Sequence, residues 1–171
     1  MTSITVTTGV SVDGRTLARN GAVTLDTDTI TRPAGVLSIS VPGMADLGSA
    51  EAGTAGVSGL LGEVTVTDAR GDPSTEWTAT VSCTDFTTGG ATPETIANES
   101  VGYSPGSATS TAGEAEFTPG TTGDLGSPRT AFSVSEGTGD NSATWNPTIT
   151  VTLPDDVVVG TYTAVITHSV T

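Results

Sequence analysis

Short runs of alternating apolar and polar residues recur along the chain, separated by clusters of Gly, Pro, Asp and Asn. Alternation with a period of two is typical of a strand that buries one face. The clusters between the runs are typical of turns. We therefore predict about eight or nine short strands and no helix longer than about two turns. The clearest strands are residues 2–8, 36–41, 61–67, 77–82, 143–153 and 162–170.

Three connections between these runs have a distinctive composition. Residues 48–59 are rich in Gly, Ser and Ala, which predicts a loop. The runs 61–67 and 77–82 flank a Gly/Asp/Pro turn, so we expect them to pair as a hairpin. The segment 137–141, Gly-Thr-Gly-Asp-Asn, predicts a further turn.

Composition narrows the classes of protein to which the chain can belong. Among 171 residues there are 19 acidic and 5 basic ones, all arginine, for a net charge of −14. This balance argues against nucleic acid and against membrane surfaces as partners, because both attract clustered Lys and Arg. Thr, Gly and Ser supply 74 residues, and Thr favours strands over helices. Cys83 and His168 are the single Cys and the single His, which excludes an intrachain disulfide and a Cys/His zinc cluster.

The first predicted strand begins at once after Met1, with no basic and apolar leader before it. Acidic and Thr-rich strand surfaces suit an extracellular protein. We therefore expect a cell-surface protein without membrane insertion, and a chain from which the signal peptide is absent.

A resemblance covers residues 36–171. Four segments carry it in order: Leu61-Gly-Glu-Val-Thr-Val-Thr-Asp-Ala-Arg-Gly71, Trp77-Thr-Ala-Thr-Val81, Trp145-Asn-Pro147 and Gly160-Thr-Tyr-Thr-Ala-Val-Ile-Thr-His-Ser-Val170. These segments resemble the WxL-type domain of Gram-positive surface proteins, particularly actinobacterial ones. The two Trp-x-Leu copies of that family correspond here to Trp77-Thr-Ala79 and His168-Ser-Val170. The resemblance implies a secreted β-sandwich that associates non-covalently with the cell wall through peptidoglycan.

A smaller resemblance covers residues 3–33. Val12-Asp-Gly-Arg-Thr-Leu-Ala-Arg-Asn-Gly-Ala-Val-Thr-Leu25 is similar to the last coil of ice-binding-type β-solenoid domains. A single coil cannot bury its own apolar face. We expect residues 1–35 either to pair with an edge of the sandwich or to be donated to a neighbouring copy.

The alternation and the two resemblances together predict an all-β protein. Its architecture is expected to be an immunoglobulin-like antiparallel β-sandwich over residues 36–171 with an N-terminal β-strand extension over residues 1–35.

Four residues are candidates for binding: Trp77, Trp145, Tyr162 and His168. Both tryptophans lie within strands and are expected mainly in the core, with stacking on a sugar as the alternative. Tyr162 is either a corner residue whose hydroxyl bonds the backbone or an ordinary half-buried strand residue. His168 has Thr, Ser and Val as neighbours, so we expect a packed or rim position.

Other motifs have simpler interpretations. Arg70-Gly-Asp72 spells an integrin-recognition tripeptide, but Gly and Asp before Pro73 are also ordinary turn residues. Asp155–Asp156, Asp140–Asn141 and the pair Asp26 and Asp28 offer oxygen ligands for Ca²⁺, without a twelve-residue calcium loop. We predict no cofactor, with Ca²⁺ as the alternative.

The Thr-x-Thr rows Thr5–Thr7 and 27–31 are similar to rows that match ice, although Thr is also a common exposed strand residue.

No pattern of nucleophile and base is present, so we predict no enzymatic activity. The leading hypothesis is a non-catalytic surface domain that binds peptidoglycan or a surface partner. The alternatives are a fibre or surface-layer subunit that self-associates through residues 2–31, and an ice-binding protein or adhesin.

Overall fold

A computed structural model describes residues 4–5, 11–13, 23–24, 29–31, 35–51 and 53–171. These residues are all-β, and among them the helical element is the short 3-10 turn Asn98–Ser100. The described part of the chain includes no helix with the length and apolarity that crossing a membrane requires. The chain divides into two compact units, Met1–Gly35 and Val36–Thr171, which are described separately.

The described residues of the first unit are four short strands that pair in parallel. Strand β1 (Ile4–Thr5) pairs with β3 (Val23–Thr24), and β2 (Ser11–Asp13) pairs with β4 (Thr29–Thr31). The partners are 19 residues apart in the first pair and 18 in the second. Parallel strands at a nearly constant separation are the geometry of stacked coils. The extension thus forms two rungs, where the sequence suggested one coil.

Residues 36–171 contain twelve described strands, which build two larger antiparallel sheets and one short ladder. They are β5 (Leu37–Ser40), β6 (Gly56–Leu60), β7 (Val64–Asp68), β8 (Thr75–Cys83), β9 (Phe86–Thr87), β10 (Thr95–Ile96), β11 (Val101–Ser104), β12 (Ala108–Pro119), β13 (Gly123–Asp124), β14 (Arg129–Trp145), β15 (Thr148–Thr152) and β16 (Ile166–Val170).

The two larger sheets face each other across one core. The four-stranded sheet has the order β13-β11-β15-β6. The six-stranded sheet has the order β16-β8-β14-β7-β5, with β12 also paired to β14. Tyr103 and Ile149 from the first sheet join Trp77, Phe132 and Trp145 from the second in a single buried cluster. The protein is therefore all-β with antiparallel sheets throughout its second unit.

Strand β14 is sharply bent, although it is continuous over 17 residues. Phe132 and Trp145 lie 13 positions apart on it, which is roughly 43 Å in a straight strand. Their rings nevertheless stack with centroids 5.0 Å apart. The strand must therefore fold back between them, and the six-stranded sheet curls around the core.

The bend coincides with unusual backbone at its midpoint. Glu136 has φ 52° and Gly139 has φ 72°, both in the left-handed region. On the paired strand β12, Gly113 has φ 92°, and a Cβ there would lie 2.5 Å from the Asp140 carbonyl oxygen. The register between β12 and β14 shifts on both sides of Glu114. The segment 137–141, which reads as a turn, is in fact this bend within a long strand.

The bend also decides how β7 and β8 are paired. The first half of β14 pairs with β8, from Arg129↔Val81 to Gly137↔Thr75, and the second half pairs with β7. The predicted hairpin between residues 61–67 and 77–82 is therefore wrong, because the two strands lie along successive halves of β14. The sequence of the connection suits a turn, but the bend of β14 places the two strands on different parts of the curved sheet.

Other expectations from the sequence can be compared with the strands. Alternating burial is confirmed in β7, β8 and β16. The predicted loop over 48–59 is wrong at its end, where β6 pairs with β15. The run 143–153 divides at Pro147, since β14 ends at Trp145 and β15 begins at Thr148 in the other sheet. Pro147 cannot donate to a strand ladder, which explains the break.

The close contact at Gly113 predicts that replacing this glycine with alanine strongly destabilises the fold. We expect G106A, at φ 69° with open space around its Cβ position, to cost about 1–2 kcal/mol for the left-handed backbone. G113A carries the same backbone penalty and also overlaps the opposite strand, which adds about 1–3 kcal/mol. Urea denaturation of both variants measures the difference. Equal losses would show that β12 does not approach β14 closely at the bend.

Candidate functional site

A large groove lies in the second unit between two irregular segments. It encloses about 1240 Å³ and is lined by residues 42–51 and 53–55 on one side and by residues 153–155 and 157–166 on the other. Its floor includes buried or half-buried apolar side chains of the sheets: Phe86, Ile96, Ile149, Val151 and Leu153. The groove is thus an apolar cleft at the place where both segments leave the sheets.

Exposed apolar side chains concentrate at this groove. The described part of the chain has seven exposed large hydrophobic residues, and four of them line the groove. Met44 is 88% exposed and Val159 is 95% exposed, with Val158 and Val165 beside them. Large apolar groups left in solvent at a concave site are typical of a binding surface.

Hydrogen bonds from backbone amides hold the walls of the groove. In the first wall, Gly48 donates its amide to Asp46 Oδ1 at 2.8 Å, and the amide of Thr54 donates to the Glu51 carbonyl at 3.0 Å. The two walls meet where the amide of Leu153 donates to the Ala55 carbonyl at 3.0 Å. The groove is therefore bounded by segments with defined anchors.

Tyr162 belongs to the second wall. Its hydroxyl donates to the carbonyl of Val158, four residues earlier, at 2.9 Å, and its ring is half-buried. This is the backbone hydrogen bond expected of a corner tyrosine. Nearby, Thr163 and Thr87 exchange backbone hydrogen bonds of 2.9 Å, which fasten the wall to the β9 strand. Tyr162 is thus the one predicted binding residue that lines the groove.

The two tryptophans are buried instead. Trp77 is 2% exposed and Trp145 is 0% exposed, so neither ring offers a face to a sugar. Trp77 Nε1 donates to Asn141 Oδ1 at 2.8 Å, and Asn141 in turn donates to Thr75 Oγ1 at 3.1 Å. Burying an indole requires a partner for its N–H, and Asn141 provides one at the bend of β14. Their positions match the core interpretation, and glycan stacking on them is excluded by burial.

His168 takes part in a second polar network within the core. Trp145 Nε1 donates to the Tyr103 hydroxyl at 3.1 Å, and that hydroxyl lies 3.1 Å from His168 Nε2. Burial lowers the pKa of His168 to about 4, so the ring is neutral at pH 7, and it shares a hydrogen bond with the Tyr103 hydroxyl. Burial also raises the pKa of Tyr103 to about 12. His168 therefore occupies a packed position outside the groove.

The Arg70-Gly-Asp72 tripeptide serves the fold at the same bend. The Arg70 guanidinium donates to both carboxylate oxygens of Asp68, at 2.9 and 2.8 Å, and to the Glu76 carbonyl at 2.9 Å. Asp68 is fully buried. The hydrogen bonds from Arg70 hold the pKa of the Asp68 carboxyl below its usual range. The Arg70 guanidinium is thus tied to the fold by hydrogen bonds, while 33% of the side chain is exposed.

The remaining candidates are the Cys83 thiol and the acidic pairs proposed to bind calcium. Burial raises the pKa of the Cys83 thiol to about 11, so it is protonated at neutral pH. Within the described ranges, no group of three or more His, Cys, Asp or Glu side chains is arranged to hold a metal ion. Among the proposed calcium pairs, Asp26 and Asp28 lie outside the described residues, as do Thr7 and Thr27 of the threonine rows.

Sequence reasoning missed the groove as a site. Its walls come from segments about a hundred residues apart, and only the tertiary fold brings them together. One signal was available, because Met44 and the run Val157-Val-Val159 are apolar residues inside segments that otherwise read as loops.

Comparisons with known proteins add no further assignment: no family model, curated protein or solved structure matches the chain.

The position of His168 predicts a pH dependence of stability. Its pKa is about 4 in the folded protein and near 6.5 when exposed. The unfolded chain therefore binds a proton first as the pH falls, and stability is lost between those values. We expect the free energy of unfolding to drop by about 2 kcal/mol from pH 7 to pH 5 in the unsubstituted protein. H168N should abolish this drop in urea denaturation, and an equal drop in both proteins would contradict the burial of a neutral ring.

Proposed function

We propose that residues 36–171 form a non-catalytic, immunoglobulin-like binding domain of the extracellular cell surface. In this proposal the domain is related to WxL-type domains and associates non-covalently with peptidoglycan through the groove. The observation that carries the proposal is the convergence of Met44, Val158, Val159 and Val165, all exposed, on one apolar cleft. A monomeric soluble protein rarely leaves such a contiguous patch without a partner.

The segments that resemble the WxL-type domain contain residues that stabilise the fold, and this supports the proposal. The Asp-x-Arg-Gly segment provides the Asp68–Arg70 pair at the bend, and Trp77 and Trp145 fill the core. The closing segment Gly160–Val170 runs from the groove wall into β16. Most of the resembling residues thus have structural roles, and those of Gly160–Ile166 also line the groove.

Two further features support the immunoglobulin-like assignment. The second unit has two antiparallel sheets that share a core, and Tyr162 makes the backbone hydrogen bond of a corner tyrosine. The chemistry of the side chains supports a role in binding. The Cys83 thiol is buried and protonated, and His168 shares a hydrogen bond with the Tyr103 hydroxyl away from the groove, so neither side chain is poised to act as a nucleophile or base in the groove.

The proposal predicts that the full chain pellets with purified, insoluble peptidoglycan. The double variant M44S/V159S removes two exposed apolar side chains from the groove and should weaken pelleting at least tenfold. Both positions are almost fully exposed, so the fold should be unaffected. The control is V36S, which removes an apolar side chain that is 66% exposed but does not line the groove. Equal weakening by both variants would argue against the groove, and no pelleting of the unsubstituted chain would end the proposal.

A second candidate function is assembly through the first unit, as a subunit of a fibre or surface layer. The two parallel pairs favour it, because each described strand there has one partner and a stack of rungs ends in open strand edges. Such edges can accept a strand from another copy.

This second function predicts that the full chain forms oligomers whose size increases with concentration in light scattering. V12P should reduce the assembly, because Val12 pairs with Ile30 and proline removes a ladder donor. A91P is the control for the added proline, because Ala91 lies in an exposed loop of the second unit and its φ is not in the left-handed region. A monomer at all concentrations would exclude this function.

A further inference from the structure

The acidic charge of the chain belongs to the unit that contains the groove. In residues 1–35, Asp13, Asp26 and Asp28 balance Arg15, Arg19 and Arg32 in formal charge, so the whole −14 falls on residues 36–171. The lining of the groove includes exposed carboxylates at Asp46, Glu51 and Asp155, and it includes neither Arg nor Lys.

Both arginines of the second unit form hydrogen bonds away from the groove. Arg70 binds Asp68 at the bend, 2.8 Å between Nη2 and Oδ2. Arg129 donates from Nη1 to the Asp124 carbonyl at 3.1 Å and from Nη2 to the Thr121 carbonyl at 3.2 Å. The groove thus combines an apolar floor with a negative rim, and its field favours an occupant with positive charge.

The aromatic residues argue against the sugar chain as that occupant. The chain has seven aromatic residues, all within 36–171, and each is buried or half-buried. The tryptophan rings lie in the core, and the Tyr162 hydroxyl is bound to the Val158 carbonyl. No aromatic face is left fully exposed in the second unit for stacking on a hexose. The apolar groups that are exposed are aliphatic, which suits small aliphatic side chains in a partner.

We propose that the groove binds peptidoglycan through its amine-bearing peptide stems and not through its glycan strands. This inference rests on the proposed association with peptidoglycan. Stem peptides combine alanine methyl groups with the free amine of a diamino acid, which matches an aliphatic cleft with carboxylates on its rim. The ammonium groups pair with Asp46, Glu51 and Asp155, while the methyl groups contact Met44 and Val159. Because the carboxylates are exposed, this attraction weakens with added salt.

The test compares three forms of one peptidoglycan preparation in pelleting or surface binding with the full chain. The first is untreated, the second has its free amines acetylated, and the third is glycan from which an amidase has removed the peptides. We expect binding to the untreated form, a loss of at least tenfold after acetylation, and no binding to the peptide-free glycan. Released stem peptides should compete, and their acetylated counterparts should not.

Variants of the protein test the same contact from the other side. D46N/E51Q/D155N should lose most of the binding to untreated peptidoglycan. The control E63Q/E76Q/E116Q makes the same change in net charge at exposed acids that do not line the groove, and should bind as the unsubstituted chain does.

The outcomes distinguish failure of the peptide-stem inference from failure of the proposed function on which it rests. No binding to untreated peptidoglycan contradicts the proposed function itself. Equal binding to untreated and acetylated peptidoglycan, or retention on peptide-free glycan, overturns the peptide-stem inference and leaves peptidoglycan association standing. Equal losses in the two triple variants would assign the effect to net charge and also overturn it.

Discussion

The architecture of residues 36–171 depends on the bend in β14. One strand supplies Phe132 before the bend and Trp145 after it, and the two rings stack at 5.0 Å. Because the strand folds back on itself, its two halves meet across the core, and each half recruits its own neighbour, β8 or β7. A core with few aromatic residues thus obtains a stacked pair of large rings from a single bent strand. The stacking of large rings is worth more than their area alone.

The polar groups buried near the bend follow from that geometry. A folded strand cannot keep a regular ladder at its corner, so side chains satisfy some of the groups there. Asn141 receives the Trp77 indole N–H and donates to Thr75, and Arg70 neutralises the buried Asp68. These contacts explain why the segment 68–75, a loop by composition, contains two of the three buried polar residues of the described chain. Loss of one partner leaves an unsatisfied polar group in the interior, which is strongly destabilising.

The sequence predicted the strands better than their pairing. Period-two alternation located β5, β7, β8 and β16, and the core placement of Trp77 and Trp145 followed from the scarcity of other large side chains. The long strand β14 was not foreseen, because Gly137 to Asn141 has turn composition, and local composition cannot distinguish a turn from a bend that a partner strand stabilises. The groove could not be predicted for a similar reason. It depends on the distance between residues 42–55 and 153–166, which no local pattern encodes.

The irregular register of β12 has a consequence for solubility. This strand pairs with both halves of the bent β14 and is largely exposed over its 12 residues. A flat edge of that length would be a template for other chains in a crowded environment. Three register shifts, the carboxylates of Glu114 and Glu116, and the final Pro119 interrupt it. The distortion that shapes the core therefore also makes β12 a poor template for intermolecular sheet growth.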